Sequence, residues 1–196
     1  MTRIPLGITV AQYELKTQEN PVNLKQFYVM LHEWFLEKEY APKNDPEYPE
    51  ISYYEARSPD HGREVWAKWR IKYAPQQNKF YRRVFNIDIH ALKVQSVEIV
   101  QNNKKFKLDK GEMWLYCQAI LEVDYENKWR GHPILRHFLD TFWKRFIWKD
   151  LEKQRREVYK DAYELHQVVK NYMEIRKAVP TLKPYWPAKG YKVEQE

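Results

Sequence analysis

The residues of this sequence most suggestive of a binding surface are aromatic and basic side chains at alternate positions. Trp66, Lys68, Arg70 and Lys72 form one such row, and alternate residues of a strand face the same side of a sheet. Single-stranded nucleic acid is bound by such mixtures, because rings stack on bases and cations follow phosphates. The full candidate nucleic-acid or partner face consists of Trp66, Lys68, Arg70, Lys72, Arg82, Trp114 and Tyr116.

No nucleic-acid-binding motif accompanies this face. We find no ribonucleoprotein signature, zinc knuckle or helix-turn-helix spacing. Aromatic and basic side chains also serve protein partners, where Trp, Tyr and Arg dominate the binding energy. If helices cover the face, it is simply a second core, so these alternatives stay open.

The opposite strand rows indicate a pocket. They carry small residues among large ones, and small residues at the centre of a concave sheet leave space for an apolar ligand. The alternative is that rings of the C-terminal helix fill this space, as close-packed interiors normally demand. The candidate pocket-lining residues are Ala67, Trp69, Ile89, Cys117, Ala119 and Phe142.

Catalytic and metal-binding patterns are weak, and we assign no catalytic residue, metal ligand or cofactor. The closest histidines, His132 and His137, are separated by five positions and a proline, which is not the spacing of a helical zinc site. Cys117 falls on an apolar row, where a thiol is usually inert. With 5 glycines in the chain, there is no glycine-rich phosphate loop.

The composition is that of one globular domain of 196 residues, 43% hydrophobic and 31% charged. The single cysteine excludes an internal disulfide, and no segment has the pattern of a signal peptide or a membrane span. We therefore expect a cytoplasmic protein. The formal net charge of +7 is concentrated in residues 51–111, which carry 13 basic and 6 acidic side chains. Such a segment can attract phosphates or an acidic partner.

The elements that must position these residues are strands followed by a helix. Alternation predicts a first strand at 4–15, and a 3.6-residue period predicts a helix at 22–39 after Asn20 and Pro21. The period then returns to two and predicts strands at 51–57, 63–73, 80–100, 104–108 and 113–125.

Two details of this strand run concern its turns. The stretch 80–100 is too long for one straight strand and is predicted to bend or divide near Lys93 to Ser96. Asp109, Lys110 and Gly111 form a hairpin signal, because glycine adopts the positive φ that such a turn needs. About six strands result.

The C-terminal third is helical. No Gly or Pro interrupts residues 134–178, which predicts either one long helix or two helices with a bend. A near-heptad apolar seam could contact a partner or a second copy, or it could fold back on the first helix. The seam consists of Val158, Ala162, Leu165, Val169 and Tyr172. We expect a single domain over 1–178 and an irregular tail over 179–196, rich in proline and aromatic residues.

The predicted fold is α+β, a curved antiparallel sheet with an N-terminal helix and a long C-terminal helix. This element order, over residues 4–178, resembles the START-like or helix-grip superfamily, and the resemblance implies an apolar pocket between sheet and helix. The chain departs from that pattern in having one helix after the first strand. The stretch from Trp129 to Arg136 is also similar to uncharacterised archaeal proteins, which implies no function.

These observations favour a non-enzymatic binding protein. It would act through a partner surface on the C-terminal helix or through the apolar pocket. One alternative is a nucleic-acid-associated protein that uses the aromatic-basic face. The other is a helix-grip enzyme that acts on an apolar small molecule.

Overall fold

The structure is a computed structural model that describes residues 7–17, 22–42, 48–59, 62–75, 80–101, 104–129, 131–135 and 148–175. Within these ranges the chain forms five strands and two long helices. In chain order they are β1 (Gly7–Thr17), α1 (Leu24–Glu37), β2 (Glu50–Ser58), β3 (Gly62–Tyr73), β4 (Tyr81–Gln101), β5 (Lys104–Val123) and α2 (Trp148–Ile175).

The five strands form one curved antiparallel sheet in the order β1-β5-β4-β3-β2. The α+β class and the antiparallel sheet are confirmed, whereas the expected number of about six strands is wrong for the described chain. β4 continues through the irregularity predicted near Lys93. Lys93 itself has a φ of 54°, and the register with β5 shifts between Leu92 and Gln95. A bulge therefore bends this strand without dividing it.

The hairpin predicted at Asp109, Lys110 and Gly111 is also wrong. β5 runs straight through these residues, and its pairing with β4 extends as far as Lys104 opposite Gln101. Gly111 serves a different purpose, since a Cβ there would lie 2.7 Å from the carbonyl oxygen of Leu92. The glycine lets β5 approach the bulge of β4 closely, which a larger residue would prevent.

α1 begins at the Asn23 cap, whose side chain accepts a hydrogen bond from the Gln26 backbone nitrogen at 2.9 Å. Its buried face packs against β3 and β4. The Phe35 ring lies 5.7 Å from Phe85 and 6.2 Å from Trp69, both edge-on. This helix therefore covers the β3 and β4 side of the sheet.

α2 packs on the same face of the sheet as α1, but over the strands β1 and β5. The five seam residues predicted on this helix are all fully buried within the chain. Tyr172 joins the two helices, because its hydroxyl donates to the Asn23 carbonyl at 2.9 Å and its ring contacts Phe27. Lys38 pairs with Glu164 at 2.7 Å at the opposite end of α1. The seam is thus buried within the chain, but mainly against β1 and β5 rather than along the first helix, and Tyr172 is the seam residue that contacts α1.

Two predictions fall on residues outside the described ranges. One is the tail at 179–196. The other is whether residues 134–178 form one helix or two, because residues 136–147 lie outside the described ranges. Phe142, one of the predicted pocket-lining residues, is among them. Neither helix in the described part of the chain has an apolar stretch long enough to cross a membrane.

Candidate ligand-binding cleft

The β2 edge of the sheet extends beyond the cover that α1 provides. Tyr53 lies opposite Ala67 on β3, so it shares the face that α1 covers farther along the sheet. Yet 53% of Tyr53 is exposed, whereas Ala67 is buried. The inner face of β2 consequently forms one side of an open cleft.

This cleft, of about 670 Å³, lies between the first turns of α1 and the inner face of β2, β3 and β4. Its size is within the range of small-molecule sites, and its walls are predominantly apolar. α1 contributes Leu24, Lys25, Phe27, Tyr28 and Val29. The sheet contributes Glu50, Tyr53, Arg63, Val65, Ala67, Ile89 and Asp109.

Tyr28 forms the boundary between the cleft and the packed core. Its ring packs edge-on against Trp69 with centroids 5.0 Å apart, and against Tyr53 at 6.4 Å. Its hydroxyl donates to Glu50 Oε2 at 2.6 Å. Burial, together with this hydrogen bond to a carboxylate, raises the pKa of the Tyr28 hydroxyl above its ordinary value. The phenol therefore stays neutral and holds the wall in place.

The opposite end of the cleft is charged. Arg63 and Asp109 line it, and the Arg63 Nη2 atom lies 3.0 Å from Asp109 Oδ1. Asp109 also accepts a hydrogen bond from the Leu24 backbone nitrogen at 3.3 Å, in the first turn of α1. The two side chains thus connect β3 and β5 to the start of the helix.

A second cavity of about 420 Å³ begins at the same two residues, and we call it the basic cavity. Its charged lining residues are Arg57, Arg63, Lys107 and Asp109, and Val94 and Ser96 complete it. Because Arg63 and Asp109 line both spaces, the apolar cleft and the basic cavity adjoin.

Glu55 organises the arginines of this cavity. It pairs with Arg57 at 3.0 Å and lies 3.9 Å from Arg63. Tyr53 also donates a hydrogen bond to Glu55, at 3.1 Å. The Arg57 hydrogen bond is the main cause that lowers the pKa of the Glu55 carboxyl. The carboxylate is therefore charged at neutral pH, accepts two hydrogen bonds from Arg57, and attracts Arg63 without a hydrogen bond.

Some of the predicted pocket residues line the cleft, and others lie in the packed core. Ala67 and Ile89 line the cleft. Trp69, Cys117 and Ala119 are fully buried and are not among its lining residues. Burial raises the pKa of the Cys117 thiol to about 12, so the thiol is protonated and unreactive at neutral pH.

The predicted aromatic-basic face lies on the other side of the sheet. Register places Trp66 opposite His90 and His90 opposite Trp114, and the three rings stack. Their centroids are 3.5 Å and 5.2 Å apart, with interplanar angles of 21° and 22°. Lys16 of β1 extends the row, with its ammonium 4.6 Å from the Trp114 ring. Alternation along the predicted strand at 80–100 already places His90 on the same row as Arg82. Sequence reasoning missed Lys16, which only the strand order brings here.

Carboxylates accompany the cations on this face. Arg70 pairs with Asp88 at 2.5 Å and Arg82 with Glu122 at 2.6 Å. Lys68 also lies opposite Asp88 in the strand register. Two of the basic residues expected to contact phosphates are therefore held by neighbours on adjacent strands, so the face presents less positive charge than its sequence suggested. Tyr116 lies in the same outer row, opposite Asp88 on β4.

A partner surface on α2 stays a prediction. Since the seam is covered by the chain itself, it does not face outward. Two exposed rings on the helix, Tyr159 and Tyr163, stack at 6.4 Å, and more than half of each is accessible.

No protein-family model and no curated protein matches this sequence. The cleft residues that sequence reasoning missed belong to α1 and to the charged end, where Arg63 and Asp109 lie, and it also missed Lys107 of the basic cavity. For Lys107 and Asp109, the only local signal was their alternation on one strand row. Nothing local indicates that this row meets Arg57 and Arg63 across the sheet.

Proposed function

We propose that this protein binds a small apolar molecule in the cleft between α1 and the inner face of β2, β3 and β4, and that it does so without catalysis. The observation that carries the proposal is the cleft itself, about 670 Å³ of space beside buried apolar walls. Interiors are normally close-packed, so an apolar space of this size next to a well-packed core is a candidate site.

The small side chain of Ala67 supports this proposal. Ala67 occupies the centre of β3 between Val65 and Trp69, and a larger residue there would project into the cleft. Under α1 the inner face carries large side chains, and Trp69 and Phe85 are fully buried there. The space is thus confined to the end of the sheet that α1 leaves uncovered.

The strand order supports placing the chain in the helix-grip superfamily. β1 and β2 lie at opposite edges, while β5 returns beside β1 before the chain enters the long helix α2. In that superfamily a sheet and a long C-terminal helix enclose a ligand, whereas the cleft of this chain is bordered by α1, and no described residue of α2 lines it. Topology alone does not assign a ligand, so the argument for binding depends on the cleft.

A neutral fluorescent probe tests the proposal. N-phenyl-1-naphthylamine brightens in apolar sites, and we expect saturable binding to the wild-type protein. Ala67→Leu should weaken this binding about tenfold, because the added methyl groups occupy the cleft. Ala56→Leu is the matched control, since Ala56 lies on the outer row of β2, opposite Glu64. Probe binding that is absent, or equally weakened by both substitutions, would contradict the proposal.

Single-stranded nucleic acid binding is the second candidate, and the stacked rings of Trp66, His90 and Trp114 favour it. The lysines Lys68 and Lys72 would supply the phosphate contacts. The test is a titration with a fluorescent single-stranded RNA at low salt, comparing wild type with the Lys68→Glu and Lys72→Glu double variant. Absence of binding, or binding that the variant leaves unchanged, would exclude this function.

A further inference from the structure

The basic cavity indicates which kind of apolar molecule the cleft accepts. We infer that the ligand is an amphiphile with one negatively charged head group, such as a carboxylate, whose apolar body lies in the cleft and whose head lies in the basic cavity. This inference rests on the proposed function of the cleft and deepens it by naming the ligand class.

Continuity of the two spaces is the first support. The cleft and the basic cavity share Arg63 and Asp109, so the apolar walls of the cleft and the cations of the cavity adjoin at this one ion pair. Val65 and Ala67 line the apolar part just beyond Arg63 on the same strand. Apolar and charged surfaces therefore follow one another along a single path, which matches the two ends of an amphiphile.

The charge count is the second support. The cavity is lined by three cations, Arg57, Arg63 and Lys107, whereas the carboxylates that contact them are Glu55 and Asp109. Lys107 lies opposite Glu98 in the register of β4 and β5, but no ion pair joins these two described residues. A head group with a single negative charge would therefore meet a cation that no carboxylate contacts.

Preorganisation is the third support. Asp109 holds the Arg63 guanidinium in position, whereas Arg57, whose side chain is 78% exposed, pairs with Glu55 at the rim. A guanidinium has five N–H donors, more than these contacts use. Lys107 makes no ion pair with any residue in the described ranges. Orienting cations before binding reduces the entropy that an anion must overcome, and hydrogen bonds to a charged acceptor are among the stronger ones.

The experiment compares decanoate with decanol, which share an alkyl chain and differ in the charge of the head. Isothermal titration calorimetry with the wild-type protein should show decanoate binding about tenfold more tightly than decanol. Lys107→Gln should reduce the affinity for decanoate about fivefold and leave that for decanol unchanged. Arg57→Gln provides a second variant with the same expectation.

Lys110→Gln is the matched control. Lys110 is exposed on the same strand as Lys107, its side chain is on the opposite row, and it lines neither space. Equal affinities for decanoate and decanol, or the same loss in Lys110→Gln, would overturn the anionic head while leaving the cleft proposal intact. If neither compound nor the naphthylamine probe binds, both proposals fail.

Discussion

Arg63 and Asp109 pair at 3.0 Å although their strands, β3 and β5, are separated by β4. The two side chains extend toward each other across the inner face of β4, where Arg63 lies opposite Val94 and Asp109 opposite Ser96. This contact is where the apolar cleft meets the basic cavity, and it is also where α1 begins. The same pair therefore joins the two spaces and anchors the start of α1.

Replacing Asp109 should destabilise the fold measurably. Its carboxylate binds Arg63 and accepts a hydrogen bond from the Leu24 nitrogen at the start of α1. Asp109→Ala removes both contacts and should lower the free energy of unfolding by about 1–2 kcal/mol. Urea unfolding followed by circular dichroism measures the change. Glu14→Ala, an exposed carboxylate on the edge strand β1, should change it by less than about 0.5 kcal/mol.

Replacing two buried alanines by leucine should lower the free energy of unfolding by different amounts. Ala67 and Ala119 are both buried on the inner face, but only Ala67 borders the cleft. Ala67→Leu should be accommodated at a cost below about 1 kcal/mol, whereas Ala119→Leu should cost about 1–3 kcal/mol through overpacking. Thermal unfolding of the two variants provides the comparison. Equal costs would show that the space beside Ala67 is filled in solution.

Arg83 should be the most important charged residue for joining the sheet to the helices. It lies on the inner row of β4, contacts Glu157 and Asp161 of α2, and donates to the Tyr40 hydroxyl at 3.2 Å. Arg83→Met removes the cation that contacts Glu157 and leaves Asp161 with Lys38 at 3.6 Å, and it should lower the free energy of unfolding by about 2 kcal/mol.

Its neighbour on the outer row supplies the control. Arg82 pairs with Glu122 and is about twice as exposed as Arg83, 28% against 13%. Arg82→Met should therefore cost less than about 1 kcal/mol. A comparable loss in both variants would contradict the assigned role of Arg83.

Stability should decline in alkaline solution. Burial raises the pKa of the Cys117 thiol to about 12 from an ordinary value of 9.0, and burial also raises the pKa of the Tyr13 hydroxyl. The folded state therefore holds these protons more tightly than the unfolded state. The stabilisation is complete below the ordinary values and is lost as the pH rises above them.

Cys117→Ala isolates the thiol's share of this effect. The difference in unfolding free energy between wild type and the variant should shrink by about 1 kcal/mol between pH 8 and pH 10. Urea titrations at the two pH values measure this difference. A difference that does not change with pH would mean that the thiol is accessible to solvent.

Much of the fold followed from local pattern. The predicted strand at 63–73 became Gly62–Tyr73, and the predicted first helix at 22–39 became Leu24–Glu37. Alternation and the 3.6-residue period are properties of short segments, so they can be read without knowing what the segments contact. The turn predicted at Asp109 to Gly111 was wrong, because a glycine is typical of a turn but is needed here for the close approach of β5 to Leu92. The sequence alone does not distinguish these two uses of glycine.

The candidate site was only partly accessible from the sequence. Small residues indicated space on the inner face, and Ala67 and Ile89 do border the cleft. The helix side of the cleft and its charged end depend on where α1 stops covering the sheet, and no spacing within a single segment encodes that. Likewise, the basic excess of residues 51–111 gave no indication that Asp88 and Glu122 would lie beside Arg70 and Arg82.

The sequence by itself determined the class of the fold, the faces of its strands and helices, and the concentration of positive charge in the middle of the chain. The tertiary structure decided which of those faces meet. Strand order and helix position bring together residues far apart in the chain, as with Arg63 and Asp109, and ion pairs and clefts form only at such meetings. Periodicity identifies the buried side of each element. A cleft forms where one element leaves part of another uncovered, and this depends on how the elements are arranged in space.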